Sequence, residues 1–165
     1  MAISDPVFAQ PTAQTIQPGA IATLLSFPGT RPSRLGVKEG HLTPCPTSPN
    51  CVSSQGVSSQ GVSSQTIDDP DHDIAPLAYE GSATEAFDRL KLVLETFDNA
   101  EIVDSDDHYL YAEFTIPVFG FVDDVEFYLD EATAEIQVRS ASRLGESDLG
   151  VNRKRVETIR ALFDS

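Results

Sequence analysis

The stretch YLYAEFTIPVFGFVDDVEFYLD, Tyr109–Asp130, alternates apolar and polar residues on both sides of one interruption. In its first half Leu110, Ala112, Phe114 and Ile116 fall on one face of an extended chain, and Tyr109, Tyr111, Glu113 and Thr115 on the other. In its second half Phe119, Phe121, Val125, Phe127 and Leu129 share a parity. Successive side chains of a strand point to opposite faces, so a period of two predicts two strands, each with one apolar face. Pro117 breaks the run between them.

The same period continues on either side. Ile102 and Val103 lie in a short strand, and SDDH (Ser105–His108) reads as a tight turn. Asp130–Thr133 turns the chain again, and in AEIQVRSAS (134–142) Ile136 and Val138 face one way, Gln137 and Arg139 the other. Strands joined by such short turns form an antiparallel meander with one buried and one wet face. Helical spacing brackets them. SATE (Ser82–Glu85) has the form of a capping box, and Ala86, Phe87, Leu90, Val93, Leu94 and Phe97 predict a helix over 83–97. Asp148 is a candidate N-cap for a last helix, whose stripe is Leu149, Val156, Ile159 and Phe163. Pro76 limits a first strand near Ile74–Tyr79 to an edge. The order β-α-β-β-β-β-α predicts an α+β fold, a four- to five-stranded antiparallel sheet with two helices on one face.

The chain has 165 residues, enough for one domain with tails. Prolines, glycines and small polar residues crowd the first 73 positions, and most aromatics follow them. The expected organisation is a disordered or loosely docked tail (1–26), an irregular segment with a cysteine loop (27–55), a flexible repeat and acidic linker (56–73) and the α+β domain (74–165). The net charge of −15 opposes binding to nucleic acid or to an anionic membrane. No run approaches the ~20 apolar residues of a membrane span. MAISDPVFAQ places no basic residue before an apolar core, so no secretory signal is read and the cytoplasm is the default location.

Several residues break the pattern. Asp123 shares the apolar parity of Phe121 and Val125, which calls for either a bulge or a buried partner such as Ser140, Ser142 or an arginine. Asn152 sits on the stripe of the last helix, where a buried amide needs partners. The run RSASRLGESDLGVNRKRVETIR (Arg139–Arg160) holds more than half of the 11 basic residues and passes from a strand through a loop into a helix start. It reads either as a charge network, with Arg153 and Glu157 at i,i+4, or as an anion site. The candidate ligand-binding residues are therefore Asp123, Arg139, Arg143, Asp148, Asn152 and Arg153. His41, His72 and His108 fall in loops without a triad or metal motif, and TIDDPDHD (Thr66–Asp73) reads as a solvated linker. Cys45 and Cys51 stand as C-x5-C, which leaves a disulfide, free thiols or a metal site open. No metal, cofactor or catalytic residue is assigned.

Four segments carry a resemblance: FPGTRPSRLGV (27–37), CPTSPNCVSSQ (45–55), GFVDDVEF (120–127) and the Arg139–Arg160 run. Together they resemble the bacterial and plastid proteins catalogued as domain of unknown function 1499. The resemblance implies that the segment through Cys51 belongs to the folded unit and that the source is cyanobacterial or plastid-like, with thylakoid association as a further location. It implies no activity, substrate or cofactor. Glu146 departs from the aromatic residue such sequences carry there, and the second and third VSSQ copies look like an insertion. The functional expectation is a noncatalytic binding or assembly module that uses the Arg-rich region to hold a partner protein or an acidic small molecule. The alternative is a hydrolase with an Asp/Arg/Asn site (Asp123, Arg143, Asp148, Asn152).

Overall fold

A computed structural model describes residues 26–55, 69–117 and 119–165. Its elements are β1 (Cys51–Ser53), β2 (Leu77–Ala78), α1 (Ala83–Glu95), β3 (Ala100–Ser105), β4 (Tyr109–Ile116), β5 (Phe121–Asp130), β6 (Glu135–Ser142) and α2 (Val151–Phe163). All strands pair antiparallel in one sheet, in the order β1-β6-β5-β4-β3. The outer edge of β6 is shared, with β1 along Arg139–Ala141 and β2 at Ile136 and Glu135. This is the expected α+β architecture with one strand more. β1 is three residues long, too short to show a period. The strand expected at Ile74–Tyr79 shrinks to Leu77–Ala78 beside Pro76, which has no N–H to give.

The alternating residues do what their parity predicts. Leu110, Ala112, Phe114, Val125, Phe127, Leu129, Ile136 and Val138 meet Phe87, Leu90 and Leu94 of α1 and Val156, Ile159 and Phe163 of α2 in one buried cluster. Each large side chain removed fully from water contributes about 1.5–3 kcal/mol, so this face carries most of the folding energy. Ser82 caps α1 by accepting from the Glu85 N–H at 3.4 Å.

At α2 the expectation needs correcting. Gly150, in the left-handed region at φ 80°, is the N-cap. Asp148 acts from two residues earlier, accepting from the N–H of Gly150 at 2.9 Å and of Asn152 at 2.7 Å. Leu149 is not on the helix stripe; it is 95% exposed, with φ 55°.

The opposite sheet face is not wet, contrary to the alternation rule. Tyr111, Asp124, Glu126 and Arg139 on that face are buried. Residues 27–42 lie across it as a strap. Phe27 N–H donates to the Phe119 carbonyl at 3.1 Å, Gly36 N–H to Glu126 at 2.7 Å and Leu42 N–H to Gln55 at 2.7 Å. The expected tail up to residue 25 and the VSSQ repeat (56–65) lie outside the described residues. The end of the acidic stretch is folded, not solvated: His72 is buried, and Ser53 pairs with Asp73.

Candidate functional site

Asp123 resolves the first anomaly. The β4–β5 and β5–β6 registers run unbroken past it, so no bulge turns it outward. It points into the helix side and is 2% exposed. Arg155 of α2 donates to it at 2.5 Å, and also to Ser140 at 3.0 Å and Asn152 at 2.5 Å, with its guanidinium 4.9 Å from the Phe114 ring. Asn152 in turn donates to the Asn50 carbonyl at 3.1 Å and to Ser142 at 3.0 Å, and accepts from Ser140 at 2.6 Å. A buried charge is tolerable when it is paired and its remaining hydrogen-bonding capacity is met, as here. This network joins β5, β6, α2 and the cysteine loop.

Neighbouring strand residues point to opposite faces, so Asp124 belongs to a second network beneath the strap. Arg143 donates to Asp124 at 2.7–3.1 Å, to Glu113 at 2.5 Å and to the Tyr111 hydroxyl at 2.9 Å. Tyr111 donates to Asp124 at 2.6 Å, and Arg31 of the strap closes the group on Glu113. Burial works against the Arg143 charge, but Asp124 and Glu113 outweigh it and hold the guanidinium more firmly protonated than usual. Burial likewise lifts Glu113, yet bonds from Tyr111, Arg143 and Arg31 bring it below the ordinary carboxylate value. Burial and the bond to Asp124 push the Tyr111 phenol well up. Two residues further along the strand, on the same face, Glu126 accepts from Arg139 at 3.1 Å, Tyr109 at 2.9 Å and Gly36. The Arg139 Nε is buried without an acceptor among the described residues.

The third cluster lies where α2 begins. Arg153 donates to the carbonyls of Asp73 and Pro70 at 2.8 Å each; the i,i+4 pair with Glu157 does not form, and Glu157 meets Arg160 at 3.0 Å instead. His72 bridges Asp69 (2.8 Å) and the Ser48 carbonyl (3.2 Å). Cys45 and Cys51 are joined by a disulfide, with Cα atoms 5.6 Å apart, which settles the three alternatives left open by their spacing. Among the described residues, no group of three or more His, Cys, Asp or Glu side chains is placed to hold a metal ion.

The candidate residues are thus not all brought together. Asp123 and Asn152 lie on the helix side, with Asp148 bonded to the Asn152 N–H and Arg153 beside it at the start of α2, whereas Arg139 and Arg143 lie under the strap. Besides a hollow of about 250 Å³ at the start of α2 that Asp148 and Arg153 help to line, the fold leaves open a groove that the sequence did not single out. It measures about 670 Å³ between the strap and the β3–β4 edge, lined by Arg31, Leu35, Val37, Val103, Asp104 and Tyr109 among others. Past Val37, Asp106 and Tyr109 it runs into a second hollow of about 390 Å³ that includes Asp107, His108 and Tyr128. The signal available in the sequence is the group Arg31, Arg34 and Lys38, a basic island in an acidic chain; the groove itself needs the strap in place.

Residues 41–163 match a family model described as protein of unknown function (DUF1499). No curated protein and no solved structure matches the chain. Among the described residues, no helix is long and apolar enough to cross a membrane.

Proposed function

The chain belongs to the DUF1499 family of proteins of unknown function, and from its own geometry we propose that it is a noncatalytic binding module that holds a partner protein in the groove between strap and sheet edge. The carrying observation is the closure of the charge networks. A hydrolase needs a nucleophile, a base and an oxyanion donor converging on one opening. Arg143 instead lies across the sheet from Asp123, Asn152 and Asp148, and each of the four is engaged with internal partners. An acidic small molecule needs an uncompensated cation; Arg139, Arg143 and Arg155 each face a carboxylate, and Arg153 is committed to the carbonyls of Asp73 and Pro70. The groove mixes apolar side chains (Leu35, Val37, Val103) with tyrosine and charged ones (Tyr109, Arg31, Asp104), a mixture suited to a recognition surface.

Disulfides persist in oxidising compartments. The Cys45–Cys51 bond therefore favours an oxidising compartment over the reducing cytoplasm. A photo-crosslinking residue placed at Val37 in cells is expected to trap one protein reproducibly, and at Leu162 on α2 to trap none in common with it. Hydrolysis of ester, amide or phosphate probes by the purified chain that falls with Tyr109→Phe would overturn the proposal.

A further inference from the structure

The two edges of the sheet are treated differently. At one edge β1 is covered further: Ser53 N–H donates to the His72 carbonyl at 2.8 Å, and Ile74 N–H to the Ser53 carbonyl at 3.2 Å. At the other edge β3 ends the sheet, with β4 as its one neighbour among the described residues. Such an edge presents backbone N–H and C=O groups ready to pair with an incoming strand. We infer that the occupant of the groove is an extended, basic segment of a partner protein that adds to β3 as a further antiparallel or parallel strand. The inference rests on the binding-module reading and names its ligand.

The side chains along the edge specify the chemistry. The β3–β4 register shifts between Ile102 and Asp104, so Val103 is the unpaired residue of a bulge. Ile102 packs on the core while Val103 lines the groove, facing the strap residues Leu35 and Val37. An incoming strand therefore finds an apolar slot at its middle. Glu101 and Asp104 are exposed along the edge, and Asp106 and Asp107 continue the negative charge around the turn. Cationic side chains flanking an apolar one match this arrangement. Six residues of β3 span about 20 Å at ~3.3 Å per residue, which sets the length of the segment.

Charge also excludes the alternatives. A second copy pairing edge to edge would set Glu101 and Asp104 against the same residues, between two chains that each carry −15. Nucleic acid is repelled by the same field. A small polyamine would satisfy the charge but not the backbone of β3, so it serves as the control.

The test uses the full chain and an eight-residue synthetic peptide of alternating Lys and Val, with a Glu–Val peptide and spermine as comparisons. The Lys–Val peptide is expected to bind and to slow hydrogen exchange at the β3 amides that point away from β4. Asp104→Lys, and Val103→Pro at the unpaired position of the bulge, are each expected to weaken binding by about tenfold or more. Asp71→Lys makes the same change in net charge near the start of α2 and is expected to leave binding within about twofold. Equal losses for Asp71→Lys and Asp104→Lys, or full displacement by spermine, would reduce the effect to diffuse attraction and overturn strand addition. So would outward β3 amides already protected in the free chain. A partner trapped at Val37 that ignores Val103→Pro and Asp104→Lys would sink strand addition while leaving the binding-module reading intact. Loss of both the crosslink and peptide binding would remove both.

Discussion

His72 shows how far a side chain's meaning depends on its neighbours. In the sequence it is one more residue of an acidic, loop-like stretch. In the fold both ring nitrogens face acceptors, the Asp69 carboxylate and the Ser48 carbonyl, and an imidazole donates from both nitrogens only when protonated. Burial pulls its pKa down, but these two bonds and the Asp69 charge more than offset that, so the folded value lies above the ordinary 6.5. A raised histidine stabilises the fold fully below its unfolded value and ceases to do so as pH climbs through the folded one. NMR titration should therefore place His72 above 6.5, and unfolding free energy should decline as pH rises through that window. His72→Gln should flatten the decline; an unchanged slope would mean that the clamp is not formed. Asp69, held low chiefly by its bond to His72, contributes with the opposite sign, above its unfolded value and lost in acid.

Strands and helices were legible to different degrees. α1, β4, β5 and β6 follow from periods of 3.6 and 2 that survive folding because one face of each is apolar. The start of α2 was misplaced by two residues, since Asp148 caps from outside the helix while Gly150 makes the turn. β1 was invisible, because three residues carry no period and their pairing with β6 is non-local. Asp123 and Asn152 could be marked as anomalies from their parity alone, and they are the points where elements are tied together. Arg155 is the tie between α2 and β5. Arg155→Ala leaves Asp123 buried and unpaired and is expected to cost about 3–5 kcal/mol in urea unfolding. Replacing both partners, as Asp123→Leu with Arg155→Leu, is expected to recover much of that loss, because no charge then remains to be desolvated. A double variant as unstable as the single one would show that the pair contributes more than mutual compensation.

Taken as one body, the protein keeps most of its arginines in internal bonds and leaves its excess of negative charge on the outside. The net charge of −15 makes the surface self-repulsive. Exposed charges are screened over about 8–10 Å at moderate salt, whereas pairs under the strap or against α2 are shielded from the solvent. Raising NaCl from about 0.01 to 0.5 M is accordingly expected to raise the melting temperature, since repulsion between exposed acids fades faster than the buried pairs weaken. A fall in melting temperature would mean that surface ion pairs, not repulsion, dominate. Composition and periodicity were enough to specify an acidic α+β molecule, the apolar face of each element and the residues that violate it, because burial of apolar surface is recorded locally, every second or every third to fourth position. They could not specify what covers the polar face or which carboxylate meets which arginine. Arg31 and Glu113 are 82 positions apart, and Gly36 and Glu126 are 90 apart. Their meeting, and the groove they frame, depends on laying the strap across a finished sheet, a long-range event that leaves no period in the chain.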